Sequence, residues 1–295
     1  MNISQRRVSL IDGKPLTLRG LFAAFWPQLG VTWAMTLVEV AVLALIPLLI
    51  GYAIDGLLGG DFTAFWQLGG ALGALIVLGT LRRLYDTRAY GIMRVELGKA
   101  LASRSPNVPV SRLNARLDMG RELVDFLETE APESMTALIR AAAAVVILAT
   151  FHTTLALVAV GAFAVMLAIY GMAHRRFFRL NRALNTQTEK QVGILETHSL
   201  PRLGAHLLSL RKSEVRLSDT EGLVYGLIFT ALVGLVMFNL WFATQEIDIT
   251  AGKVFSIVTY SWDFVESALI LPMTLQAFSR LSEITGRINQ VKDEI

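Results

Sequence analysis

GKVFSIVTYSWDFVESALILPMTLQAFSRLSEITGRI, residues Gly252 to Ile288, is an apolar run that carries two carboxylates, Asp263 and Glu266. At about 1.5 Å per residue, Val254 to Phe278 covers the ~30 Å hydrocarbon core of a bilayer with some tilt. A charge at that depth costs roughly 2.5 kcal/mol or more on insertion scales, so each acid is expected to face a cavity, a partner helix or a counter-ion.

The composition agrees with a membrane location. Hydrophobic residues make up 54% of the 295, and the mean hydropathy is +0.53. That is too apolar for a soluble domain of this size. There is no cysteine, which excludes a disulfide framework and thiolate metal sites. The four histidines, His152, His174, His198 and His206, are scattered, so no metal is expected. The first 20 residues are polar and basic, with Arg6, Arg7, Lys14 and Arg19, and do not read as a cleavable signal. The N-terminus is expected to stay attached and cytoplasmic. The net charge of +3 gives no reason to expect nucleic acid as a partner.

Working outward along the chain, Leu16 to Gln28 reads as a short interfacial elbow helix with Phe22, Phe25 and Trp26. A first span follows over Leu29 to Ile54, with Glu39 at mid-depth, Pro47 as a kink and Asp55 at the far end, then a polar loop, GLLGGD. The second span starts near Phe65, where Gly69, Gly70, Gly73 and Gly79 are suited to close helix packing. Past Leu81 the text turns charged but keeps helix formers, so Trp66 to Ser103 is expected as one helix of about 57 Å, nearly twice the bilayer core.

Pro106 and Pro109 end that helix, and Ser111 is placed to cap a short helical tip. The chain climbs back through a kink at Pro132 into a third span, Met135 to Phe151. After a tight outer loop at His152 to Thr154 comes the fourth span, Leu155 to Met172, with a charged extension like that of the second. LPRLGAHLLSLRK makes a second tip before the fifth span, Leu223 to Thr244. The opening stretch is the sixth.

Lysine and arginine placement tests this map, because the side facing the cytoplasm carries the positive excess. Of 27 such residues, four precede the first span, nine lie between Arg82 and Arg121, nine between Arg175 and Arg216, and three follow Phe278. Only Arg140 and Lys253 remain. The sorting supports an even number of spans with both termini inside.

In order and spacing, three stretches resemble the six-helix transmembrane domain of ATP-binding-cassette (ABC) exporters. These are IPLLIGYAIDGLLGGD at 46 to 61, RLDMGRELVDFLETEAPE at 116 to 133, and ITAGKVFSIVTYSWDFVESALILPMTLQAFSRLSEITGRI at 249 to 288. The resemblance implies an all-α integral membrane fold with cytoplasmic extensions. Its parts would be an N-terminus and elbow over 1–28, the transmembrane domain over 29–288 and a tail over 289–295. It also implies a homodimer in a bacterial inner membrane, and alternating-access export.

By the same resemblance, the two tips are coupling-helix-like surfaces for ATPase subunits, with Ser111, Arg112, Leu113 and Arg116 on one and Arg202, Leu203 and His206 on the other. The chain departs from a complete exporter in having no GxxxxGK[ST]: Gly13-Lys14, Gly98-Lys99 and Gly252-Lys253 are followed by Pro, Ala and Val. It is therefore not expected to be an enzyme or to hold a cofactor itself. ATP would enter only through a partner ATPase. The alternatives are an ATPase-free relative driven by a proton gradient and a piece of a longer chain.

Glu39 lies about 24 Å below Asp55 and Glu266 about 27 Å below Asp248, which puts the two acids at similar depth. Asp263 shares a helix face with Glu266. One reading makes Glu39, Glu266 and Asp263 a cavity-lining cluster that binds cationic substrate or exchanges protons. The other has these acids pair with Arg140, itself about 15 Å inside its span, and hold the bundle together. A scaffold or regulatory subunit that keeps the fold without transporting is the alternative function.

Overall fold

The computed structural model describes residues 18–103, 110–246 and 249–290, and these are almost wholly helical. The helices are α1 (Leu18–Ala24), α2 (Trp26–Gly59), α3 (Thr63–Ser103), α4 (Val110–Asp125), α5 (Ala131–Phe151), α6 (Thr153–Glu196), α7 (Leu200–Glu246) and α8 (Ala251–Gln290), with a π-helical segment, Phe126–Glu130, between α4 and α5. They fall into two compact units: one comprises the chain up to Ile147 and from Asp248 onward, the other Leu148–Ile247.

Among the described residues five helical stretches, lying in α2, α3, α4 with α5, α6 and α7, are long and apolar enough to cross a membrane. The last helix, α8, carries Lys253, Asp263 and Glu266 in its first half, which lowers its hydropathy relative to the others. Helix α3 has 41 residues, and α6 and α7 are longer still. At about 1.5 Å per residue each runs well beyond a ~30 Å core.

In the first unit α3 packs on α2 and α4, α8 packs on α2 and α4, and the elbow is buried against α3 and the α4–π segment. The elbow is not one helix. Pro27 lacks an N–H and its ring crowds the preceding turn, so the helix breaks at Phe25 and restarts with proline in its first turn. Leu21, Phe25 and Leu29, each four residues apart, are buried with Tyr90, Met93 and Leu97 of α3 and Leu123, Val124, Phe126 and Leu127 beyond Gly120. Two of the three elbow aromatics pack inward: Phe25 is 1% exposed and Phe22 meets Trp33 edge-on, whereas Trp26 stays 60% exposed.

The expected loop at GLLGGD is shorter than its glycines suggest. Helix α2 runs to Gly59 and ends in a Schellman turn: Gly60 adopts φ 82°, its N–H donates to Leu57 O, and Asp61 N–H donates to Gly56 O at 2.8 Å. Among the described residues a Cβ added at Gly69, Gly70 or Gly73 meets nothing within 4 Å, so none of these glycines makes a close helix contact in this unit. The tight approach lies between α2 and α8, where a Cβ on Gly252 would overlap the Gly51 carbonyl oxygen and one on Gly51 would sit 2.6 Å from Gly252 O.

The expected separate tip helix at Ser111 is also absent. Helix α4 is already under way at Val110 and continues through the π segment into α5. Nothing in RLNARLDMGRELVD interrupts it, because Gly120 is held in the core where a Cβ would come 2.6 Å from Leu101 Cδ1. The interruption comes at Pro132, as a bulge. The Ala131 N–H reaches back five residues to Phe126 O, leaving Leu127 O without its usual donor, and the Tyr90 hydroxyl donates to it at 2.8 Å.

In the second unit α6 and α7 form a long antiparallel hairpin. It turns at His198, which has φ 50°. At its other end His152 N-caps α6, its ring Nδ1 accepting the Thr154 N–H at 3.1 Å.

Candidate functional site

Helices α2 and α8 run side by side in opposite directions, joined by polar groups at three levels. Asp55 accepts the Gly252 N–H at 2.8 Å and the Thr250 hydroxyl at 2.5 Å. Ser256 donates to Pro47 O at 3.0 Å, and Tyr260 to Ala44 O at 2.7 Å. Continuing that register brings Glu39 of α2 to the level of Glu266 on α8, as counting from the helix ends suggests. Tyr260 and Phe264 of α8 are buried, whereas Trp262 is 42% exposed.

The two acids share a level but are drawn to different cations. Glu39 Oε2 lies 2.5 Å from Arg82 Nε of α3, and Arg82 Nη1 lies 3.4 Å from Asp86 Oδ2 one turn on. The Thr32 hydroxyl donates to the other Asp86 oxygen at 2.7 Å. Arg82 belongs to the charged extension in the sequence, but helical side chains lean toward the N-terminus of their helix, and a long arginine reaches back about a turn. Here that direction leads to Glu39.

The second group sits on α5 and α8. Arg140 Nη2 is 2.6 Å from Asp263 Oδ1 and 3.9 Å from Glu266 Oε2. Glu266 also accepts the Trp262 indole N–H at 2.9 Å, and its side chain keeps 52% of its exposure. The expected partnership of Arg140 with an intramembrane acid is therefore present, through Asp263. In each group one guanidinium faces two carboxyls, so each has acidic capacity beyond its own ion pair. A third group of the same make-up, Arg94 with Asp125 and Glu128, ties α3 to the π segment.

Both tip clusters belong to the first turns of long returning helices. Leu113 of α4 is half-buried, and the side chains of Ser111, Arg112 and Arg116 lie outside the described residues. On α7 Arg202 is exposed and Leu203 half-buried. His206 is buried, and its Nε2 has no hydrogen-bond partner among the described residues. No group of His, Cys, Asp and Glu among the described residues is disposed to hold a metal ion.

Sequence reasoning missed Arg82, the bond from Trp262 to Glu266, and the Arg94 group. The Arg82–Asp86 spacing of four was a visible signal, as was that of Trp262 and Glu266. The links from Arg82 to Glu39 and from Arg94 to Asp125 join residues too distant in sequence to show one.

Comparison with curated proteins finds no match. The family model described as the ABC transporter transmembrane region matches residues 18–252. That match takes in α1 to α7 and the first residues of α8, in a multi-pass membrane protein; it includes Glu39, Arg82, Asp86 and Arg140 and ends before Asp263 and Glu266. The chain belongs to the ABC transporter transmembrane region family, and its fold is that of an ABC exporter transmembrane domain.

Proposed function

We propose that this chain is the membrane subunit of a homodimeric exporter in a bacterial inner membrane, with both termini cytoplasmic, which moves a cationic or amphipathic substrate by alternating access. The observation that carries the reading is Glu266. It is a half-exposed carboxylate beside an exposed indole on α8, level with a second acid on α2, and next to an arginine already engaged by Asp263. A carboxylate and an aromatic face together suit an organic cation. Energy comes from a separate ATPase docked at the turns around Val110 and Leu200, or from protons exchanged at the same acids.

The test is transport by reconstituted protein in proteoliposomes, with a fluorescent cationic amphiphile as substrate, under a pH gradient and, separately, with any co-purifying ATPase and ATP. Glu39→Gln with Glu266→Gln is expected to abolish transport and leave the dimer intact on size exclusion. Full activity in that double variant would end the assignment of these acids. If the unaltered dimer moves nothing under either driving force, the chain is a scaffold or regulatory subunit instead.

A further inference from the structure

The stretch HRRFFRLNR, residues 174–182, lies where α6 leaves its apolar segment. Leu155 to Met172 spans about 27 Å, one hydrocarbon thickness, so the next turns fall at the headgroup level. There His174, Arg175, Phe178 and Arg179 line a surface recess of about 640 Å³. The three polar side chains are exposed, and Phe178 is 63% exposed. Arg175, Arg179 and Arg182 recur at four and three residues, which puts three guanidinium groups on one helix face.

Among the described residues the guanidinium groups of Arg175, Arg176, Arg179 and Arg182 make no salt bridge or hydrogen bond. Counting back equally from the turn at His198 brings Asp219 and Glu221 of α7 to the same level, yet neither closes an ion pair with these arginines. The corresponding position on α3 differs, because Arg82 is already engaged by Glu39 and Asp86.

We infer that this face of α6 binds the phosphate of an anionic phospholipid, with Arg175 and Arg179 on the phosphate and Phe178 against the upper acyl chain. Guanidinium forks match phosphate oxygens in pairs, and an exposed aromatic at headgroup depth suits the polar–apolar boundary. A phospholipid is the occupant because the recess joins a basic rim to an apolar wall one bilayer thickness from the other end of the span. A free phosphate would use only the rim.

Native mass spectrometry of the full chain in detergent, titrated with phosphatidylglycerol or phosphatidylcholine, tests this. Phosphatidylglycerol is expected to form discrete adducts at concentrations where phosphatidylcholine forms none. Arg175→Gln with Arg179→Gln is expected to weaken them about tenfold or more. Arg211→Gln with Lys212→Gln, equally exposed but on the extension of α7, is expected to leave them unchanged, whereas Arg175→Lys with Arg179→Lys is expected to weaken them by about threefold, less than the glutamine pair, since charge is kept but the guanidinium forks are lost. Unaltered phosphatidylglycerol binding in the Arg175/Arg179 glutamine variant, or equal weakening in both glutamine variants, would overturn the site. Displacement of the lipid by millimolar inorganic phosphate would overturn the lipid assignment in favour of a free-anion site. Matched thermal unfolding midpoints show that the variants are folded.

Discussion

The two halves of α3 have opposite relations between composition and burial. Its apolar first half is bare: Trp66 is 72% exposed and Ile76 71%, and none of its most apolar stretch is buried. Its charged second half supplies Asp86, Ala89, Tyr90, Met93, Leu97, Ala100 and Leu101 to the interior. The difference follows from the solvent each half meets. Lipid tails are as apolar as leucine and give the first half no reason to turn inward. Water drives the apolar side chains of the second half against the elbow and α4. Hydropathy therefore locates the bilayer in this chain, and burial locates the water-side core.

The largest effect that would break or sharpen this comparison is a pair of truncations. Leu97→Ala, in the charged half, is expected to cost about 2–5 kcal/mol of stability, whereas Ile76→Ala, in the apolar half, is expected to stay within about 0.5 kcal/mol. Denaturation of both variants in one detergent reads the difference, and equal losses would mean that the apolar half is packed as tightly as the charged one. Next is Tyr90→Phe, which leaves the orphan Leu127 carbonyl buried without its donor. The expected loss is about 1–3 kcal/mol, accompanied by faster amide exchange across Phe126–Glu130. Exchange unchanged there would show that the bulge holds without the hydroxyl.

The smallest effect lies at the other end of α3. Asp61 accepts the Thr63 N–H at 2.9 Å and the Thr63 hydroxyl at 2.7 Å, and these bonds, the backbone one foremost, lower its carboxyl pKa from 3.8. A lowered folded-state pKa adds stability that is present above the unfolded value and is lost as pH falls through the folded one. Asp61→Ala is therefore expected to lower the unfolding midpoint slightly at pH 7, with the gap closing below about pH 3. A gap that persists in acid would show that the cap acts through packing and not through charge.

Helix limits were legible wherever a local signal set them. Helix α2 ends at the Gly59–Gly60 pair, α6 starts beside His152, and the long extensions follow from charged runs without an internal proline. The pairing of Arg140 was legible too, because an arginine inside an apolar run has few ways to be satisfied. Glu39 was read at the right depth but without its cation. Its partner comes from 43 residues away, on a helix that the text marks as having already left the membrane. The first tip was read as a separate short helix from two prolines and a serine suited to capping, whereas α4 runs on from Val110 because its sequence favours an unbroken rod. The aromatic and glycine positions misled for one reason: composition shows which residues can pack closely, but only the partner helix decides which of them do.

The π segment between α4 and α5 also fixes an angle. One additional residue in a turn rotates everything after it by about 100° about the helix axis. Arg140 lies ten positions beyond Glu130, so its compass bearing toward Asp263 is set by that single inserted residue. A one-residue deletion among Phe126–Glu130 would swing the guanidinium away from α8 while leaving every amino acid of the Arg140 group in place. The bulge at Pro132 thus works as a phase setting, by which a backbone irregularity between α4 and α5 decides which way the intramembrane arginine points.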